Sequence, residues 1–162
     1  MAAAVAILAK RRRGPALAFQ IMFYPIMSDS TESASYSEFG AGPWISARTM
    51  KNLINAQFSP ETRGEVAAFP LNANFTELEG LPPALIVTAE NDLVRDDGET
   101  YAKKLMQAGV PVTATRYLGT IHDFLVIDDL AETPSARAAL LQACSAMREE
   151  FLRCGIGVVA GS

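Results

Sequence analysis

The chain has 162 residues, 49% hydrophobic and 20% charged, with a formal net charge of −4. That length suits one domain with a core of its own, and that balance excludes a disordered polymer. The negative charge argues against nucleic acid as a partner.

The first predicted element is a helix over Ala2–Arg13, alanine-rich and stopped by Gly14-Pro15. Its end carries a basic cluster, Lys10-Arg11-Arg12-Arg13, which the helix dipole favours in a last turn. A nucleic-acid or lipid patch is the sharper alternative for the same residues. Met1–Leu8 is apolar, but its charges follow it and it is short, so neither a signal peptide nor a membrane span is expected. Leu17–Tyr24 is a nearly continuous apolar run ended by Pro25, the pattern of a strand buried on both faces. Residues 28–80 read as a connecting or cap-like segment. It opens with a Ser- and Thr-rich loop over Ser28–Gly42, continues as a helix over Ile45–Phe58 with Ser46 as N-cap, and is irregular over Ser59–Leu81.

The most orderly stretch follows. Pro82-Pro83 opens a strand over Ala84–Ala89, and a helix runs to Ala108. Asp96 with Glu99 forms the pattern of a capping box for that helix, and Gly109 stops it. Val112–Tyr117 is the next strand, so the unit is a βαβ crossover with parallel strands. A last amphipathic helix is expected over Ser135–Phe151, with Ala138, Leu141, Ala143 or Cys144, Met147 and Phe151 near one face. The segment 155–162 reads as a flexible tail. The sum is an α/β fold with a parallel sheet of about three strands flanked by helices.

His122 is the single histidine, and it falls just beyond the end of a predicted strand. Asp92 falls just beyond the end of the preceding one. Ligand sites in parallel sheets lie outside the carboxyl ends of the strands, and an acid beside a histidine there is two thirds of a nucleophile–base–acid triad. Within the acidic turn Asp96 is taken by the expected cap, and Asp97 and Glu99 lie in the first helical turn. Asp92 is left to face the next loop. The plainer alternatives are a turn or capping aspartate and a structural histidine. Cys144 and Cys154 fit no metal spacing and no disulfide framework, so they read as free thiols in a reducing cytoplasm. No glycine-rich phosphate loop follows any strand. Neither a cofactor nor a metal site is assigned.

Several segments together resemble the hormone-sensitive-lipase-like esterases of the α/β-hydrolase superfamily. They are Phe23-Tyr-Pro25, the Trp44–Phe58 helix, Leu81–Glu99, Ala108–Val112 and Tyr117-Leu-Gly-Thr-Ile-His-Asp-Phe124. The resemblance implies an α/β-hydrolase fold, a short acyl ester as substrate, Asp92 as triad acid and His122 as base. Asp123 stands where the family motif has glycine. The family's Gly-Asp-Ser-Ala-Gly-Gly elbow and its oxyanion-hole motif do not occur in these residues. Residues 1–154 are therefore expected to be the C-terminal portion of such a domain, a partial α/β-hydrolase fold whose first helix follows the elbow. Such a half would be weakly active or inactive alone. Its open strand edge is expected to take a second copy or the missing N-terminal half, with a non-catalytic interaction module as the alternative.

Overall fold

A computed structural model of the chain describes residues 1–155. The elements in order are α1 (Ala2–Arg11), β1 (Gln20–Phe23), α2 (Ala34–Phe39), α3 (Ala47–Gln57), α4 (Phe75–Leu78), β2 (Ala84–Asn91), α5 (Arg95–Gln107), β3 (Val112–Ile121), α6 (Asp128–Ala131) and α7 (Pro134–Arg153). Short 3-10 turns at Pro60–Thr62 and Pro70–Asn72 lie between α3 and α4. The tail expected at 155–162 falls outside the described residues except for Gly155.

The sheet has three parallel strands in the order β1-β2-β3. β2 is central, and its apolar run Ala84–Ala89 is buried on both faces, as its composition requires. Met22 and Ile86 point into a core shared with Ala3, Ala6 and Ile7 of α1 and with Tyr101 and Leu105 of α5. Leu85, Val87 and Ala89 point the other way, onto α7. A third cluster, containing Tyr36, Met50, Ile54 and Phe69, joins the connecting segment to Leu93 and Val94 at the end of the sheet that carries the site. β1 is shorter than the predicted run. Gln20–Phe23 pair with Ala84–Val87 on one side, Ile21 and Phe23 are only partly buried, and Leu17 is exposed. The expectation of burial on both faces holds for the face of Met22, while Ile21 and Phe23, on the α7 side, are covered only in part.

Other expectations change for identifiable reasons. The predicted capping box at Asp96 and Glu99 does not form. α5 begins one residue earlier, at Arg95, with Val94 as an N-cap that makes no side-chain cap bond. Asp96 instead accepts from the backbone N–H of Ser35 at the start of α2, and Glu99 makes a two-pronged pair with Arg116 of β3. The capping box in this chain belongs to α4, where Asn74 and Glu77 satisfy each other's backbone N–H groups. In α7 the buried face is Ala136, Ala139 and Ala143 rather than the larger residues, and Leu141 is exposed. Alanines let this helix close on the sheet, and the leucines are turned outward. Ser46 caps α3 as expected. The basic cluster is partly committed. Lys10 donates to the backbone carbonyls of Thr76, Glu77 and Glu79 at the end of α4, and Arg11 pairs with Glu77.

Gly98 shapes the start of α5. A Cβ there would stand 2.9 Å from Thr88 Cγ2 and 3.2 Å from Pro25 Cδ. Its absence lets the first helical turn press against β2 and the exit of β1. Next to it, Asp97 is buried and accepts from the backbone N–H groups of Met27 and Ser28. Desolvation pushes its carboxyl up to about 7, against the pull of those two hydrogen bonds and with help from Asp96 and Asp92.

Candidate active site

The pairing of β2 with β3 sets the site. Ala89 pairs with Tyr117, but Asn91 pairs with Ile121, so β3 carries two extra residues between those points. Gly119 absorbs the irregularity at φ 71°. The Glu90 carboxylate accepts from the Gly119 N–H at 2.7 Å, and the Thr120 hydroxyl donates to the Tyr117 carbonyl at 2.7 Å. Once Asn91 and Ile121 are partners, the next residue on each strand is Asp92 and His122. The shift in register brings them face to face.

His122 Nδ1 lies 2.8 Å from Asp92 Oδ2. The Asp92 side chain is fully buried and that of His122 is 8% exposed. Asp92 Oδ1 accepts from the Val94 N–H at 3.0 Å. The aspartate is thus both a turn residue and the histidine's partner, with one oxygen for each task. That split fixes the carboxylate plane, so the oxygen facing His122 cannot rotate away. A buried carboxylate at Nδ1 selects, in the neutral ring, the tautomer with its proton there and leaves Nε2 with a free lone pair. Phe124, 1% exposed, packs near Tyr24 and Tyr117 and anchors the loop that carries His122.

Two aromatic residues that sequence reasoning did not assign to the site complete the surroundings. The Tyr24 ring lies 4.8 Å from the His122 ring, centroid to centroid. Its phenol is pushed up to about 12 by desolvation, then by Asp123 and Asp92, so it remains a neutral donor. Trp44 is exposed and donates its indole N–H to Asp123 Oδ2 at 3.1 Å. Asp123 Oδ1 lies 3.6 Å from His122 Nε2. In sequence Tyr24 was read as the end of the Leu17–Tyr24 strand and part of Phe23-Tyr-Pro25, and Trp44 as the start of the Trp44–Phe58 segment. A cleft of about 500 Å³ lies between the start of α1, the end of β1 and α3, with Phe23, Tyr24, Ile54, Phe58 and Phe69 in its wall. Tyr24 borders both this cleft and His122; Asp92 and His122 do not line it. Among the described residues no group of three or more His, Cys, Asp or Glu side chains could hold a metal ion. No helix among them is long and apolar enough to cross a membrane.

Over residues 1–126 the chain matches the family described as alpha/beta hydrolase fold. The chain belongs to the alpha/beta-hydrolase family. This agrees with the resemblance drawn from its motifs. It is similar to a carboxylesterase of Mycobacterium tuberculosis, with 33% identity over 88% of this chain and 46% of the relative. It is also similar to an ethyl acetate hydrolase of Pseudomonas putida, with 32% identity over 77% of this chain and 39% of the relative. Among solved structures, a thermostable esterase from Pseudomonas putida ECU1011 superposes with a TM-score of 0.85 at 43% identity, covering 87% of this chain and 44% of that one. An esterase of Pyrobaculum calidifontis gives 0.80 at 31% identity, covering 91% and 48%. This alpha/beta hydrolase therefore spans less than half the length of the relatives it matches.

Proposed function

We propose that this chain supplies the acid and base of a serine-type ester hydrolase acting on short acyl esters, with Asp92 as acid and His122 as base. The observation that carries the reading is the buried 2.8 Å contact of Asp92 Oδ2 with His122 Nδ1, with Oδ1 held by the Val94 N–H. In the proposed reaction Nε2 takes the proton of a nucleophile hydroxyl as that oxygen attacks the ester carbonyl. It then gives the proton to the departing alkoxide. Asp92 stabilises the transient imidazolium and is not itself protonated. A water molecule then repeats the sequence on the acyl intermediate. The named activities of the relatives, carboxylesterase and ethyl acetate hydrolase, support an ester as substrate.

No Gly-x-Ser-x-Gly sequence occurs in the 162 residues. The nucleophile and the oxyanion donors must then come from another segment, for which the free outer edge of β1 is the natural docking place. The exposed thiols of Cys144 and Cys154 suit a cytoplasmic setting. The test is hydrolysis of p-nitrophenyl acetate by the chain alone and mixed with an elbow-bearing N-terminal half of a related esterase. Activity is expected in the mixture and not in the chain alone. It should drop at least about 100-fold with His122→Ala. A mixture whose activity ignores His122 would sink the base assignment. The second reading, a non-catalytic module that uses the same β1 edge to bind a second copy, is favoured by the missing elbow. It predicts an inactive mixture and a dimer in size-exclusion chromatography.

A further inference from the structure

Strain is concentrated around His122. Four non-glycine residues among those described have a left-handed φ: Arg13, Tyr24, Trp44 and Asp123. The last three surround the histidine: Tyr24 packs against its ring at a tilt of 54°, Asp123 flanks Nε2, and Trp44 holds Asp123. A left-handed backbone costs a bulky residue free energy and persists where the surroundings impose it, most often at functional sites. At Asp123 (φ 64°) glycine would fit without cost, and glycine is what the resembling motif has there. At Trp44 (φ 68°) the cost falls on one of the largest side chains, and that side chain is largely exposed, so burial of the ring does not explain it.

The geometry suggests what the strain secures. His122 lies between two carboxylates, and the charged or titratable groups facing its ring are Asp92, Asp123 and the Tyr24 phenol. Asp92 is within hydrogen-bond distance of Nδ1, whereas Asp123 Oδ1 stops at 3.6 Å from Nε2. At that range an anion still favours an imidazolium by Coulomb attraction but does not accept its proton. The other oxygen of Asp123 is engaged by the Trp44 indole.

We propose that Trp44 and Asp123 form a positioning pair on the working side of His122. The indole N–H holds the Asp123 carboxylate close enough to favour the charged ring and too far to capture the Nε2 proton, which stays available to the leaving alkoxide. The proton path is unchanged: Nε2 takes it from the nucleophile and gives it to the alcohol, and Asp123 receives none. The same carboxylate also disfavours esters that carry a negative charge near the scissile bond, so the substrate class is neutral or cationic esters. This rests on the reading of His122 as the base, but its test does not need esterase activity.

The chain has one histidine and one tryptophan, so each end gives a single set of nuclear magnetic resonance signals in the ¹⁵N-labelled protein. At acidic pH, with both ring nitrogens protonated, Trp44→Phe frees the carboxylate to close on Nε2. The Nε2 proton should move downfield and exchange with water about tenfold more slowly, while the Nδ1 proton stays where Asp92 holds it. Asp123→Gly, which the left-handed backbone tolerates, should speed exchange of the indole proton about threefold to tenfold. In the double variant the Nε2 signal should return to its position in Asp123→Gly alone. An Nε2 signal indifferent to Trp44→Phe would overturn the proposal. So would an effect of Trp44→Phe that survives in the double variant, or loss of the Nδ1 signal in either single variant, which would mark a merely structural role. Failure of the base reading is seen separately, as His122-independent hydrolysis in the reconstituted assay.

Discussion

The βαβ unit from β2 to β3 and the connecting segment 28–80 meet at the same site but hold their residues in different ways. In the βαβ unit, Asp92 and His122 are fixed by strand register, a turn and a shift in pairing, all within a short stretch of chain. In the connecting segment, Trp44 reaches the site from a loop before α3, and its indole bonds across 79 positions of sequence. The Asp92–His122 contact is therefore encoded locally, and the environment of Nε2 is assembled from afar. Local encoding resists perturbation elsewhere in the chain, whereas long-range assembly depends on the contacts that tie the two regions together.

Asp97 is one of those ties, since it belongs to α5 and binds the backbone where the connecting segment begins. Its folded-state carboxyl titrates at about 7, above the ordinary 3.8. The folded state thus binds the extra proton between those values. The stability this gives is complete below pH 3.8 and is lost as pH rises through 7. The stability of the wild type relative to Asp97→Asn should fall by up to about 4 kcal/mol between pH 4 and pH 8. Urea unfolding at several pH values measures this, and a flat difference would remove Asp97 as a titrating tie. Asp92→Ala attacks the local side. It leaves the Val94 N–H and the His122 ring without their buried partner, so a loss of about 2–3 kcal/mol is expected in the same measurement. Gly98→Ala forces a Cβ against Thr88 and Pro25 and should cost about 1–2 kcal/mol. Ser46→Ala removes the cap of α3 and should cost about 1 kcal/mol. Its effect should stay in the connecting segment and leave the His122 Nδ1 resonance in place. A displaced Nδ1 resonance would show that the two regions are not independent.

The same contrast explains what the sequence made legible. Strand β2, helix α5 and the positions of Asp92 and His122 could be read because apolar runs, stop signals and turn residues act over a few positions. Asp92 was singled out by supposing that Asp96 was spent on capping α5. Asp96 is in fact spent on α2, and Asp92 itself does the turn's work with its second oxygen. The reason for choosing Asp92 was therefore wrong, although Asp92 is the carboxylate that lies against His122 Nδ1. Helix α2 was hidden in a Ser-rich stretch, because its stabilising contacts with Asp96 and Leu93 lie about 60 positions away. The buried face of α7 was read correctly only at Ala143, because size was weighed and closeness was not: small side chains allow the helix to approach, and spacing alone does not reveal that. Tyr24 and Trp44 reach the site through backbone conformations that their residue types disfavour, so propensity argued against finding them.

The grip of Lys10 on the end of α4 has a consequence for how the chain responds to cutting. Three backbone carbonyls and the neighbouring Arg11–Glu77 pair join the first helix to the residues just before β2. They close the connecting segment into a loop fastened at its base. A protease that nicks this loop at an exposed stretch such as Asp29–Glu32 severs the backbone but not the fastening. The two pieces remain pinned at their stems and packed through α1, β1 and β2, so nicking changes the number of bands on a denaturing gel before it changes the size of the folded particle.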